Sequence, residues 1–140
     1  MIIQFNLQVP NQDVLRMMLL LFGIIMPISI FFLGIIVTRW YAKKKEWDES
    51  LKPALIVNLI WFMFNLFLYL FITQSLLAPI IQIIINPGLG MFSVVYMYKR
   101  EYKQSIIFAT VIQIILIIAT LILALIFGGI SIIVIQAMFY

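Results

Sequence analysis

Arg39-Trp40-Tyr41-Ala42-Lys43-Lys44-Lys45-Glu46-Trp47-Asp48-Glu49 holds half of the charged residues of a 140-residue chain that is 66% hydrophobic and 10% charged. With Lys52 just beyond it, this stretch is one of two basic clusters. Lys99, Arg100 and Lys103 form the other, and together the two contain eight of the nine Lys and Arg residues. What separates and flanks them is almost wholly apolar.

The composition bounds the class of protein. Soluble domains carry about 25% charged and 45–50% apolar residues, and disordered chains need low hydrophobicity and high charge. A mean hydropathy of +1.21 excludes both. The chain has no Cys and no His. Disulfides, thiolate or imidazole metal sites, haem ligation by His, and Ser-His or Cys-His catalysis are therefore excluded. No cofactor is expected.

A membrane span needs about 20 mostly apolar residues to cross ~30 Å of hydrocarbon. Outward from the two clusters the apolar runs predict four, over about 14–41, 54–73, 77–98 and 105–127. The expected fold is an all-α membrane protein, a four-transmembrane-helix bundle forming a single integral membrane domain. The flank Asn11 to Arg16 is no basic n-region, and Arg39 and Trp40 follow the first run where a cleavage pattern would stand. The first run is read as a retained helix rather than a signal peptide.

Four spans put both basic clusters on the same side, and positive-inside bias makes that side cytoplasmic, with both termini outside. One span more or fewer between the clusters would have separated them. Arg39, Lys43, Lys44, Lys45, Lys99 and Arg100 are thus expected at the cytoplasmic interface. Trp40, Tyr41, Trp47, Tyr96, Tyr98 and Tyr102 flank them, where an aromatic belt belongs. The net charge of +4 reflects this bias and attraction to anionic lipid, and needs no nucleic acid. The first basic stretch reads as a continuation of the first helix, with Lys44–Asp48 and Lys45–Glu49 pairs at i,i+4. Glu46, Asp48 and Glu49 neutralised by these lysines is the ordinary reading, ahead of a divalent-cation site.

Between the interfaces, inward of Arg16 and Arg39, there is no Asp, Glu, Lys, Arg or His in the spans, so proton relays, voltage sensing and carboxylate coupling have no carriers. The chain is expected to be non-enzymatic. Uncharged polar residues fall into stripes: Asn58, Phe62, Asn65 and Tyr69 in the second span, and Gln82, Asn86, Gly90 and Ser93 in the third. Thr110, Gln113, Ile117, Thr120 and Ala124 make the fourth stripe. Gly23, Pro27, Ile30 and Gly34 make a small-residue seam in the first. One stripe per helix gives each helix an inside face. Amides at such positions act as interhelical glue at roughly 0.6–2 kcal/mol each. Alternatively, Asn58, Asn65, Gln82, Asn86 and Gln113 line a polar path. Pro27 and Pro87 each remove a helix hydrogen bond, and Pro87 with Gly88 and Gly90 after it predicts a kinked or broken third helix.

Ile24-Ile25-Met26-Pro27 is similar to Ile84-Ile85-Asn86-Pro87, and Ala54, Asn58 and Asn65 share their spacing with Ala109, Gln113 and Thr120. The two halves read as parallel repeats of one hairpin, though low-complexity apolar sequence also produces such matches by chance. At the ends, Ile3, Phe5, Leu7 and Val9 alternate with Gln4, Asn6 and Gln8 in a strand pattern. Gly128-Gly129 is expected to release the fourth helix, leaving an apolar tail over 128–140 that bends into the interface or buries itself. Two apolar ends without catalytic residues point to a small accessory or scaffolding subunit, bound to lipid and to other membrane-protein subunits or to itself. A small oligomeric channel or transporter is the alternative.

The absence of native Cys makes the topology directly testable. Single-Cys variants Lys44→Cys and Lys103→Cys are expected to resist a membrane-impermeant maleimide in intact cells and to react after permeabilisation. Labelling of either from outside inverts the assignment.

Overall fold

The structure, a computed structural model, describes residues 12–71 and 77–139. They form four helices: α1 (Gln12–Lys44), α2 (Leu51–Phe71), α3 (Leu77–Tyr98) and α4 (Tyr102–Phe139). All four are long and apolar enough to cross a membrane. The architecture is a four-helix, all-α membrane bundle. Among the described residues there is no strand, and the alternating segment from Ile3 to Val9 and the Gln74-Ser75-Leu76 link lie outside them.

The helices form a closed ring in which α1 packs on α2 and α4, and α3 packs on the same two. Both basic turns sit at one end, where Arg100 stacks over the Trp47 ring at 5.1 Å. Three buried or half-buried rings surround Phe108 there. Trp47 stacks on it at 4.6 Å, with Tyr41 at 5.0 Å and Tyr98 at 5.4 Å. The expected aromatic belt is therefore only half a belt. Trp40, Tyr96 and Tyr102 are exposed at the rim, whereas Tyr41, Trp47 and Tyr98 belong to the core or its edge.

The reason lies in how α1 stops. It ends at Lys44 instead of running on to Glu49, so the i,i+4 register of Lys44–Asp48 and Lys45–Glu49 is lost. Trp47 N–H donates to the Ala42 carbonyl at 2.8 Å and Glu46 N–H to the Lys43 carbonyl at 3.0 Å. Glu46 has a φ of 58°. This is a Schellman turn, closed by the apolar pair Ala42 and Trp47. It swings Trp47 back over the helix end and onto Phe108. Arg39 then donates to the Glu49 carbonyl at 3.0 Å. The Ser50 N–H, 2.9 Å from the Asp48 carboxylate, holds that group below its usual pKa. A second left-handed residue, Lys99 with φ 53°, ends α3.

The core extends from this end through Val57, Trp61, Val94, Ala109, Ile112 and Leu116. Inward residues of α2 and α4 keep a common spacing: Ala54, Val57 and Trp61 against Ala109, Ile112 and Leu116, all buried. The two prolines do not share an environment, since Pro27 is exposed and Pro87 half-buried.

Of the kink or break expected in α3 the break does not occur, and the release expected in α4 is overturned. α3 stays helical through Asn86, Pro87, Gly88 and Gly90 to Tyr98. α4 passes through Gly128-Gly129 without release and continues for 38 residues to Phe139. Each glycine costs about 1 kcal/mol relative to Ala in a helix. An unsatisfied backbone group in an apolar medium costs several kcal/mol, so continuing the helix wins.

This makes the bundle unequal. α2 and α3, of 21 and 22 residues, are about 32 Å long, matching the hydrocarbon thickness. α1 and α4, of 33 and 38 residues, are about 50 and 57 Å long. Because all four start level at the basic end, the excess projects from the other end as a two-helix arm. Phe22 meets Phe127 edge-on at 5.3 Å within it. The outward residues of the arm, including Met17, Leu20, Leu125 and Ile133, are bare.

Glycine substitutions distinguish the packed end from the arm. A Cβ on Gly90 would collide with the Trp61 ring and lie 2.8 Å from the Ala109 methyl, whereas one on Gly128 meets nothing within 4 Å. Gly90→Ala is expected to lower unfolding stability in micelles by about 1–3 kcal/mol. Gly128→Ala should raise it by roughly 0.5–1 kcal/mol. Denaturant titration followed by helicity reads both.

Candidate functional site

The five amides expected to form one polar face are divided by the structure into two groups. Asn58 is buried in the α1–α2 contact, where its amide donates to Thr38 Oγ1 and to the Ala54 carbonyl, both at 2.8 Å. The contact is close because Gly34 lies against the Asn58 carboxamide, leaving no room for a Cβ. Gly34 is the one member of the α1 seam that is buried; Gly23 and Pro27 face outward. Asn58 therefore holds two helices together and is closed to any ligand.

Gln82, Asn86 and Gln113 do come together. With Thr110 they line a cavity of about 190 Å³ between α3 and α4, about halfway along α3. Ile83, Pro87, Ile114 and Ile117 complete its wall, and the cavity is partly open to the outside of the bundle. Asn65 stands behind it on α2, its carboxamide oxygen accepting from the Asn86 amide at 3.4 Å. That bond is long for N–H···O. The Asn86 oxygen has no hydrogen-bond partner although the residue is 7% exposed. Thr120 lies outside the cavity wall and donates to the Leu116 carbonyl at 2.7 Å. Ser93 likewise satisfies itself on the Leu89 carbonyl at 2.8 Å.

Trp61 is the residue that sequence reasoning missed. Its indole N–H donates to the Asn86 carbonyl at 2.9 Å, and its ring fills the space left by Gly90. The bond fixes the α3 backbone at the residue before Pro87, where the helix is weakest. A signal was present: Trp favours the interface, so a Trp three residues after Asn58, well inside a span, needs a buried partner for its N–H.

The basic end offers charge but no ligand set. Lys44 lies over Trp40 at 5.3 Å and Lys45 over Tyr41 at 5.6 Å. Among the described residues no group of three or more acidic side chains is arranged to hold a metal ion. Comparison of the chain with protein-family models, curated proteins and solved structures finds no match.

The Asn58–Thr38 bond predicts a measurable coupling. Asn58→Leu and Thr38→Val are each expected to destabilise the bundle by about 1–3 kcal/mol, since each strands a buried polar partner. In the double variant the losses should fall short of additivity by roughly 0.6–1.7 kcal/mol. A double-mutant cycle in detergent checks this, and strict additivity would deny the bond.

Proposed function

We propose that this protein is a non-catalytic accessory or scaffolding subunit of a larger membrane complex, and that the α1–α4 arm is its docking element. The observation that carries this reading is the arm's length. The apolar part of α4, from Ser105 to Met138, is about 51 Å long. At a tilt of 40°, the upper end of the usual range, it still rises about 39 Å, against ~30 Å of hydrocarbon. An apolar helix pair beyond the bilayer gains most by burial against another apolar helical surface. Positive-inside bias puts the basic end in the cytoplasm and the arm on the opposite face. Spans without Asp, Glu, Lys, Arg or His between the interfaces agree with a role that needs no chemistry of its own.

The convergence of Gln82, Asn86 and Gln113 favours a second reading, a small oligomeric channel or transporter. That reading requires several copies, since one four-helix ring encloses little space.

Native mass analysis after mild detergent extraction tests both. A hetero-complex is expected, and shortening the chain after Gly128 should release the partner while the four-helix core stays folded. A homo-oligomer that conducts ions in liposomes would favour the channel. A stable monomer rejects the subunit reading.

A further inference from the structure

Beyond any docking role, the α3–α4 cavity has the features of a ligand site. Its volume of about 190 Å³ has room for about half a dozen waters at roughly 30 Å³ each. Its polar wall carries only carboxamides and a hydroxyl: Gln82, Asn86, Gln113 and Thr110. Without a charged residue it offers an ion only a few dipolar ligands against the cost of desolvation. A neutral guest is therefore favoured.

The guest's polar group follows from Asn86. Its single side-chain bond, to Asn65, is 3.4 Å long, and its oxygen is unmet. Exchanging the carboxamide oxygen and nitrogen leaves the other atom unmet instead, so one Asn86 group always lacks a partner. A hydroxyl donates and accepts, and satisfies either arrangement. The carboxamide torsion is soft, and with only one long bond to restrain it, Asn86 can turn toward the cavity.

The route of entry defines the rest of the molecule. Ile83, Ile114 and Ile117 on the wall are also exposed on the outside of the bundle, at 63%, 52% and 44%. In a bilayer that surface is hydrocarbon, so what enters comes from lipid.

We propose that this cavity binds a neutral alcohol with an apolar chain, its hydroxyl between Asn86 and Gln113 and its chain passing out along Ile83 and Ile117 into the bilayer. The test uses the full chain in nanodiscs of phosphatidylcholine and phosphatidylglycerol. The probes are a diazirine-bearing decanol and the matched diazirine decane without the hydroxyl. Saturable labelling of residues 82–87 and 110–117 by the alcohol alone is expected, with competition by unlabelled decanol. Asn86→Leu should weaken it about tenfold, the loss of one hydrogen bond to a buried group. The Trp61 bond uses the Asn86 backbone and survives this change. Should Asn86→Leu fail to fold, Gln113→Leu on the facing wall is expected to give the same tenfold loss. Equal labelling by both probes, unsaturable labelling, or wild-type affinity in a folded variant overturns the proposal.

Discussion

Phe108, on the second turn of α4, touches rings from α1, from the α1–α2 turn and from α3. Each aromatic pair contributes about 0.5–1.5 kcal/mol beyond its buried area, and the cluster sets the height at which the helices meet. It depends on a local feature. Were α1 to run on past Lys44, Trp47 would be carried away from the bundle. The Schellman turn at Glu46 prevents this, at a cost of about 1–2 kcal/mol for a left-handed non-glycine residue. Two backbone hydrogen bonds and the Trp47 stack offset that cost. From this end inward the packing follows in register: Gly34 against Asn58, then Gly90 against Trp61.

Polar residues in the spans meet two fates, decided by how closely the backbones approach. Where Gly34 lets α1 come up to α2, the Asn58 carboxamide is gripped by a hydroxyl and a carbonyl and contributes stability alone. Between α3 and α4 a close approach falls at Gly90 and Ala109. Toward the far end the walls part, and Gln82, Asn86, Thr110 and Gln113 are left around a void. Trp61 marks the boundary. Its ring closes the tight side, and its N–H ties down the Asn86 carbonyl on the edge of the open side.

Span number, the joining of the two basic turns at one end, and the third helix from Leu77 to Tyr98 were all legible as hydropathy and charge. Such features are sums over many residues, and no single side chain decides them. The inside faces were half legible. Asn58, Asn86 and Ser93 are buried as their stripes predict, but Thr120 and Ser93 bond to their own helix. Periodicity reports a face without reporting who fills it. Glycine and proline misled most. Gly128-Gly129 reads as a release and Asn86-Pro87-Gly88 as a kink or break because both residue types weaken a helix in water. Where no solvent accepts the freed backbone groups, the same residues are carried within continuous helices. The end of α1 failed in the opposite sense, since a left-handed Glu46 has no signature in its residue type.

Continuity through Gly128-Gly129 bears on the arm itself. In a helix facing lipid or water alone, two adjacent glycines only weaken the structure, and alanine would serve better. Their Cβ positions meet nothing within 4 Å among the described residues, so none of those residues requires the glycines. Their hydrogens leave a smooth, shallow place on α4 beside Phe127, which is engaged with Phe22 on α1. A surface of that form lets a second backbone come close, as small residues do between membrane helices. Under the docking role proposed for the arm, this local shape favours a helix as its partner. The basic end is packed on itself around Phe108, so the proposed docking role falls to the arm.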